Sequence, residues 1–183
     1  PYSFTTHAYD VFNANPSLVW KTAGAAFHRT ISQFNVRYLS DAYPDIDTSR
    51  VRVAYLGVDP ERFEPTAPRP AAPVHLLAIS ELLMQKGHHV FVEACDILRR
   101  RGIPFSATLV GGGPAKPHLD RQAATLGFGD QVRYEPACPH GDVPGWFNRS
   151  HIFVLPCIDM RGEGEHVDGI PVVLMEAMAA GLI

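Results

Sequence analysis

The sequence has little cysteine and lacks the features that mark several classes of protein. Its 183 residues include 3 cysteines, Cys95, Cys138 and Cys157, at wide spacing and without a CxxC pair. This predicts neither a disulfide framework nor a zinc site, and it favours a reducing compartment. No stretch approaches the roughly 20 apolar residues of a membrane span. The formal net charge of -3 gives no electrostatic reason to expect a nucleic-acid partner.

The amino-terminal residues do not have the pattern of a signal peptide. The chain starts Pro1-Tyr2-Ser3-Phe4, without an initiator Met, a basic region or an apolar core. We therefore expect an internal segment of a longer, cytoplasmic protein.

Proline clusters once along the chain and marks an expected domain boundary. Five prolines lie between Val58 and Pro73. Proline stiffens the backbone and removes amide donors, so residues 65–73 are predicted to form an interdomain linker. Residues 1–64 would then belong to one domain and residues 74–183 to another.

After the linker, short apolar runs alternate with segments of helical periodicity. This alternation predicts right-handed βαβ units around a mainly parallel sheet, which is an α/β fold. Before the linker, we predict a helix over 27–39, beginning near Thr30 or Ser32, and a strand over 51–56. After it, the predicted strands are 74–79, 105–110, 131–134 and 152–155, and the predicted helices are 88–101, 114–126, 143–148 and 171–180.

Ligands of an open parallel sheet bind beyond the carboxyl ends of its strands, near positively polarised helix termini. Three predicted loops lie there, at 80–87, 111–114 and 156–169. The last leads into an almost wholly apolar helix that contains one carboxylate, Glu176, eight positions after Asp168. Because an unpaired buried carboxylate is costly, Glu176 is satisfied by a structural arginine or backbone amides, or it binds a ligand hydroxyl. We favour the ligand role.

Six short motifs follow one another along the chain. They are His7-Ala8-Tyr9-Asp10, Gly57-Val58-Asp59 with Phe63, Lys86-Gly87, Leu109 to Pro114, Phe153 to Pro156, and Asp168 to Gly181. Each motif is weak alone, but the six in this order resemble family 4 retaining glycosyltransferases, and most closely the bacterial exopolysaccharide, colanic-acid-type transferases. The last motif resembles the acidic-x7-Glu signature of that family.

The resemblance implies a fold of the GT-B type, with two Rossmann-like domains that are both incomplete in this chain. Residues 1–64 would be the carboxyl-terminal part of the acceptor-side domain. Residues 74–183 would be the amino-terminal part of the domain that binds the nucleotide-sugar donor.

The resemblance also implies roles for individual residues. Glu176 would bind the ribose of the nucleotide. Lys86 would neutralise the diphosphate leaving group, where negative charge develops in the transition state. Asp168 would lie near the hydroxyls of the donor sugar, and His7 would line that sugar from the other domain. Lys86, Asp168 and His7 are the catalytic candidates, and the further donor-binding candidates are Gly169, Ile170, Gly111, Gly113 and Glu81.

The implied activity transfers a sugar, with retention of configuration, from a nucleotide-diphosphate sugar to a glycan or lipid-linked saccharide in cell-surface polysaccharide synthesis. Neither a metal nor another cofactor is expected, because cationic side chains and helix dipoles would replace it. The expected partners are the nucleotide-sugar donor and the saccharide acceptor, and no nucleic acid. A lipid-linked acceptor would bring the protein to the inner face of the membrane.

Two positions depart from the family pattern. The family has an arginine five residues before the lysine, where this chain has Glu81. A carboxylate repels a nearby diphosphate by roughly 1 kcal/mol in water and by more in a dry site. Asp168 is shorter than the usual Glu. Two other functions therefore stay open: an inactive nucleotide-sugar-binding remnant, and a different enzyme on this fold, such as a nucleotide-sugar 2-epimerase or a glycan phosphorylase.

Several polar residues have competing interpretations. His140 and Asp142 could form a catalytic pair, but Asp142 is better explained as a helix cap. His88 and His89 are predicted to be solvated residues of a first helical turn. Trp146 and Phe147 are predicted core anchors rather than a sugar-stacking platform. A loop that closes on substrate is favoured over a metal site for Glu163, Glu165, His166 and Asp168.

Overall fold

The computed structural model describes residues 1–66, 68–69, 71–160 and 169–183. Within these residues, no helix has the length and apolar character needed to cross a membrane. The chain forms two compact units. The first comprises Pro1–Gly57 with Asp159–Ile170, and the second comprises Val58–Ile158 with Pro171–Ile183.

The first unit is built on a small parallel sheet. Its elements are β1 (Ser3–Thr6), α1 (Ala8–Phe12), α2 (Ser17–Gly24), β2 (Phe27–Thr30), α3 (Gln33–Ala42) and β3 (Val51–Val53). The strands lie in the order β1-β2-β3 and are all parallel. Parallel neighbours need a crossover between them, and α1, α2 and α3 lie in those crossovers.

The predicted helix over 27–39 is wrong in its first part. Phe27–Thr30 is strand β2, whose side chains alternate between more exposed and buried positions. The helix starts only after Ser32, whose Oγ accepts a hydrogen bond from the backbone N–H of Asn35 at 3.1 Å. The spacing of apolar residues in this segment also suits a helix. The segment forms a strand because it pairs with β1 on one side and β3 on the other, and strand preference depends strongly on such tertiary neighbours.

A buried histidine joins three elements of the first unit. The Nε2 atom of His28 lies 2.7 Å from Thr6 Oγ1 on β1, and Nδ1 lies 3.0 Å from Thr22 Oγ1 on α2. Its ring stacks on Phe4, with 4.4 Å between the ring centroids. Burial lowers the pKa of His28, so the neutral ring is favoured and both of its nitrogens have a hydroxyl partner.

The second unit is a four-stranded parallel sheet between helices. Its elements are β4 (Val74–Ile79), α4 (His88–Arg100), β5 (Phe105–Val110), α5 (Lys116–Leu126), β6 (Val132–Glu135), α6 (Val143–Asn148), β7 (Ile152–Phe153) and α7 (Val172–Ala179). The strands lie in the order β6-β5-β4-β7. The predicted α/β fold is confirmed, and these elements agree with the predicted ranges to within two residues at each end.

Two apolar cores lie on the two faces of this sheet. On one face, Leu76 and Leu109 pack with residues of α4 and α5. On the other face, Leu77 and Val110 pack with residues of α6 and α7. Successive side chains of a strand point to opposite faces, so each strand contributes to both cores. Both faces of the sheet are therefore covered by apolar contacts, as its continuous apolar strands require.

The start of the second unit lies before the predicted linker. The second unit starts at Val58, and Phe63 is buried in one of its two apolar cores, with Val58 partly buried against that core. Within the proline-rich segment, the backbone N–H and the hydroxyl of Thr66 both bond to the side chain of Asn148. The assignment of residues 65–73 as an interdomain linker stays a prediction.

Candidate functional site

Two loops meet where strands β4, β5 and β6 end. The register of these strands brings their carboxyl ends to the same edge of the sheet. The loop at 80–87 and the loop at 111–115 are joined there by backbone hydrogen bonds. The N–H of Leu82 donates to the carbonyl of Gly112 at 2.9 Å, and the N–H of Ala115 donates to the carbonyl of Leu82 at 2.8 Å. This edge is where open parallel sheets bind their ligands.

Glycine permits this close approach. A Cβ on Gly111 would lie 2.1 Å from the carbonyl oxygen of Ser80, and a Cβ on Gly113 would lie 2.6 Å from that of Leu82. Gly113 also has a φ of 153°, which residues with a side chain rarely adopt. Gly112 has room for a Cβ, whose nearest neighbouring atom would be 3.9 Å away. Packing alone therefore requires glycine at two of the predicted donor-binding positions, 111 and 113.

Lys86 lies in a tight turn at the start of α4. The next residue, Gly87, has a φ of 70° and is the N-cap of the helix. A Cβ on Gly87 would lie 2.0 Å from the carbonyl oxygen of Pro156, and the N–H of Ile158 donates to the carbonyl of Gln85 at 2.9 Å. The turn is thus packed against the segment after β7, and the side chain of Lys86 is half-buried.

His88 is buried, so the prediction that it is solvated is wrong. It is 1% exposed, and its Nε2 atom lies 2.7 Å from Ser80 Oγ. Burial lowers the pKa of His88 from 6.5 to about 4. The neutral ring therefore ties α4 to the loop after β4. The buried face of this helix also includes Phe91, Val92 and Cys95, at helical spacing from His88.

Glu176 is buried on α7 and has a side-chain partner. The residue is 6% exposed, and the other residues of this helix are apolar. Its Oε1 atom lies 2.8 Å from Nε2 of His140, which belongs to the segment between β6 and α6. In the described part of the chain, the partner of this carboxylate is thus a histidine rather than the structural arginine considered from the sequence.

A cleft of about 310 Å³ opens at the carboxyl edge beside this pair. Its lining includes Ser80, Glu81, Gly111 and Cys138, together with His140. The side chain of Glu81 is exposed. The cleft therefore combines a glycine loop, an exposed carboxylate and an imidazole that is bonded to a buried carboxylate. A concave surface with a few convergent polar groups is typical of small-molecule sites.

The predicted site residues are divided between the two units. The second unit contains Glu81, Lys86, Gly111, Gly113 and Glu176. Glu81 and Gly111 line the cleft together with His140, and Glu176 is connected to it through its bond to His140. The roles assigned to these residues stay predictions.

His7, Gly169 and Ile170 fall in the first unit. His7 is exposed, and its backbone N–H donates to Asp10 Oδ2 at 2.9 Å. Within the described residues, no cluster of metal-binding side chains is found. Of the predicted catalytic and donor-binding residues, Asp168 lies outside the described ranges. Three further residues of the metal site considered from the sequence also lie outside them: Glu163, Glu165 and His166.

Two predictions about α6 have different outcomes. Asp142 is at the N-cap, but its side chain makes no capping hydrogen bond, so the predicted cap interaction is wrong. A single turn over His140–Asp142 leads into the helix instead. Phe147 is fully buried, as predicted for a core anchor. Trp146 is half-buried, and the guanidinium of Arg149 lies 4.4 Å from its ring centroid.

A ligand cleft at the carboxyl edge of a parallel sheet is the arrangement of nucleotide-binding α/β enzymes. Residues 61–183, which include the whole cleft, match the family described as Glycosyl transferases group 1. The chain therefore belongs to the group 1 glycosyl transferases. The expected resemblance to glycosyltransferases is confirmed.

Two relatives show the range of proteins to which the chain is similar. It is 33% identical over 134 residues to the putative colanic acid biosynthesis glycosyltransferase WcaL of Escherichia coli (strain K12), covering 73% of this chain and 32% of that protein. It is 32% identical over 138 residues to a GDP-mannose-dependent alpha-(1-6)-phosphatidylinositol monomannoside mannosyltransferase of Mycolicibacterium smegmatis. That match covers 69% of this chain and 35% of the relative. The matches span about a third of the length of these curated relatives.

A solved structure has the same fold. Anabaena Alr3699/HepE, in complex with UDP-glucose, matches with a TM-score of 0.78 and 18% sequence identity. The match covers 100% of this chain and 52% of that protein. The expected fold of the GT-B type is confirmed.

Sequence reasoning missed the part that two histidines play at this edge. His140 and Glu176 are 36 residues apart, and no local pattern connects them. The signal that could have found His140 is its place in the segment that follows a predicted strand, at the carboxyl edge of the sheet. For His88 the signal is its helical spacing from buried apolar residues of α4.

We expect the second unit to lose stability as the pH falls from about 6.5 to about 4. In this window the unfolded chain takes up a proton at His88 that the folded chain excludes, because burial lowers the folded-state pKa to about 4. At about 1.4 kcal/mol per pKa unit, the loss is on the order of 3 kcal/mol. His75, whose pKa burial also lowers, adds in the same direction. Urea unfolding at stepped pH, followed by Trp146 fluorescence in a Trp20→Phe background, measures the loss.

His88→Gln should flatten this pH dependence. The matched control is His118→Gln, which changes an exposed histidine on α5 and should keep the original slope. If the free energy of unfolding changed with pH equally in both variants, His88 would not be the cause of the pH dependence.

Gly111→Ala should destabilise the second unit by about 1–3 kcal/mol, because the added methyl group would overlap the carbonyl of Ser80. Gly112→Ala is the neighbouring control and should change the free energy of unfolding by less than about 1 kcal/mol, since its Cβ has ordinary space. Urea unfolding of the two variants checks the difference. Equal effects would argue against the close approach of the two loops.

Proposed function

We propose that the chain is part of a retaining glycosyltransferase that moves a sugar from a nucleotide-diphosphate sugar to a glycan or lipid-linked saccharide. Membership of the family supports sugar transfer, and the similarity to a colanic acid transferase supports polysaccharide synthesis. The observation that carries the proposal is Glu176. This buried carboxylate stands at the second acidic position of the family signature, and its partner His140 lines the cleft at the carboxyl edge.

The nucleotide of the donor would lie in this cleft. An ionised carboxylate is purely an acceptor, so Glu176 suits the hydroxyls of a ribose, which can donate to it. The Anabaena protein of similar fold is in complex with UDP-glucose, which supports a nucleotide-sugar donor for this chain. The mycobacterial relative is GDP-mannose-dependent, so both bases are candidates.

The diphosphate sets the main electrostatic requirement of the reaction. Cleavage of the bond between sugar and phosphate leaves negative charge on the diphosphate, and a cation held at that point stabilises the transition state. Lys86, next to the turn at Gly87, is the proposed cation, and the amino terminus of α4 adds partial positive charge. We propose no metal ion for this step.

The donor sugar would be held by the remaining catalytic candidates. Asp168 would accept hydrogen bonds from sugar hydroxyls, beside the backbone amides of Gly169 and Ile170, and His7 would contact the sugar from the acceptor-side domain. In a front-face displacement the acceptor hydroxyl attacks the face from which the diphosphate leaves. Its oxygen bonds to the anomeric carbon as the bond to the diphosphate breaks, its proton passes to the departing diphosphate, and the configuration is retained. A lipid-linked acceptor would bring this reaction to the inner face of the membrane.

One observation favours a second function, nucleotide-sugar binding without transfer. Glu81 stands where the family has arginine, and its exposed carboxylate lines the cleft. A negative charge there would oppose the diphosphate more strongly in the transition state, where its negative charge increases, than in the bound donor, so transfer would suffer more than binding. Turnover of a bound donor distinguishes the transferase from the binding protein.

Glu176→Ala should weaken binding of nucleotide sugars at least about tenfold, because the ribose would lose a charged hydrogen-bond acceptor. Ligand-observed NMR of the purified chain against UDP-, GDP- and ADP-sugars measures binding and identifies the base. Glu93→Ala removes an exposed carboxylate from α4 and serves as the matched control. Equal binding by Glu176→Ala and Glu93→Ala would exclude the proposed ribose contact.

Glu81→Arg should raise the affinity for UDP about fivefold or more at low salt, because a repulsive charge becomes an attractive one. The gain should shrink in high salt, where exposed charges are screened. Uridine, which has no phosphate, is the control ligand and should bind both forms equally. Calorimetric titration measures these affinities, and a gain of equal size for uridine would show that Glu81 does not face the phosphates.

A further inference from the structure

The bond between His140 and Glu176 leaves part of the carboxylate available. The Nε2 atom of His140 lies 2.8 Å from Oε1 of Glu176. Because an ionised carboxylate only accepts hydrogen bonds, this ring nitrogen carries the proton and donates it. A carboxylate has about four acceptor sites on its two oxygens, so Oε2 can still accept from a ligand.

Burial makes the orientation of Glu176 depend on this bond. The side chain of Glu176 is 8% exposed, whereas that of His140 is 54% exposed. A buried carboxylate without a partner loses the hydrogen bonds that water would have given it, which costs free energy. The imidazole replaces that water on one oxygen, which favours a single orientation of the carboxylate.

The turn that carries His140 is itself well anchored. The N–H of Asp142 donates to the carbonyl of Pro139 at 2.9 Å, and Val143, directly after the turn, is buried in the core. The ring of Phe63 lies 6.2 Å from the imidazole, centroid to centroid, at an angle of 57°. The imidazole therefore bonds to Glu176 from a turn whose backbone is held in place by α6 and the core.

We propose that His140 is a positioning residue, which orients Glu176 so that its second oxygen accepts the hydroxyls of the donor's ribose. This inference rests on the proposed function of the cleft. It adds a residue outside the six motifs, in a segment that sequence reasoning assigned to a helix start. His140 acts through Glu176, so its contribution depends on both the carboxylate and the ribose hydroxyls.

The test is a double-mutant cycle on nucleotide binding. Calorimetric titrations with UDP and GDP, and with their 2′,3′-dideoxy forms, are made on the unchanged chain and on His140→Ala, His140→Gln, Glu176→Ala and the variant with both alanines. His140→Ala should weaken binding of the better of UDP and GDP about tenfold, as loss of an orienting partner does at other sites. His140→Gln should recover most of this loss, because its amide N–H can reach the same oxygen.

The effect of His140→Ala should vanish in the Glu176→Ala background and with the dideoxy nucleotides. A role in stability alone would lower the melting temperature but leave the dissociation constant of the folded protein unchanged, which would overturn the inference. A loss that persists in the Glu176→Ala background would also overturn it, because His140 would then contact the nucleotide directly. If His140→Ala does not fold, the same test is made with His140→Gln and His140→Asn. The shorter amide of Asn cannot reach Oε1, so His140→Asn takes the place of His140→Ala.

Failure of the proposed function gives a different pattern. A folded chain that binds no nucleotide, or that binds equally well with Glu176→Ala, would overturn both the ribose contact and the role of His140. Loss of binding in Glu176→Ala with unchanged binding in His140→Ala would overturn only the role of His140.

Discussion

The second unit depends on how closely its backbone segments approach one another at the carboxyl edge of the sheet. The Cβ positions of Gly87, Gly111 and Gly113 lie 2.0–2.6 Å from carbonyl oxygens of neighbouring segments, where no side chain fits. These approaches join the loop after β4 to the loop after β5 and to the segment that follows β7. The loops after β4 and β5 line the cleft together with the segment after β6.

Buried polar side chains then fix which elements meet. His28 joins β2 to β1 and α2, and His88 joins α4 to the loop after β4. Glu176 joins α7 to the segment after β6. A buried polar group without a partner costs free energy, so each of these contacts opposes rearrangement of the elements that it connects. The site is thus held by the same kind of interaction that holds the folded units.

If the proposed function is right, this chain departs from the expected family pattern in the charges that would face the diphosphate of the donor. The loop at 80–87 carries Glu81 and Lys86, one anion and one cation, where the family pattern has two cations. Glu81 is exposed at the cleft, while Lys86 is half-buried in the turn before α4. Under the proposed function, the balance of charge in this loop would distinguish a transferase from a protein that only binds its donor.

The elements of the second unit and the family could be predicted from the sequence, because continuous apolar runs, helical spacing and ordered motifs are local features. Phe27–Thr30 is a strand because of its pairing with β1 and β3, whose residues lie elsewhere in the chain. The bond between His140 and Glu176 likewise joins residues that are 36 positions apart. Such contacts depend on strand order and register, which bring distant loops to one edge of a sheet and which no local pattern encodes.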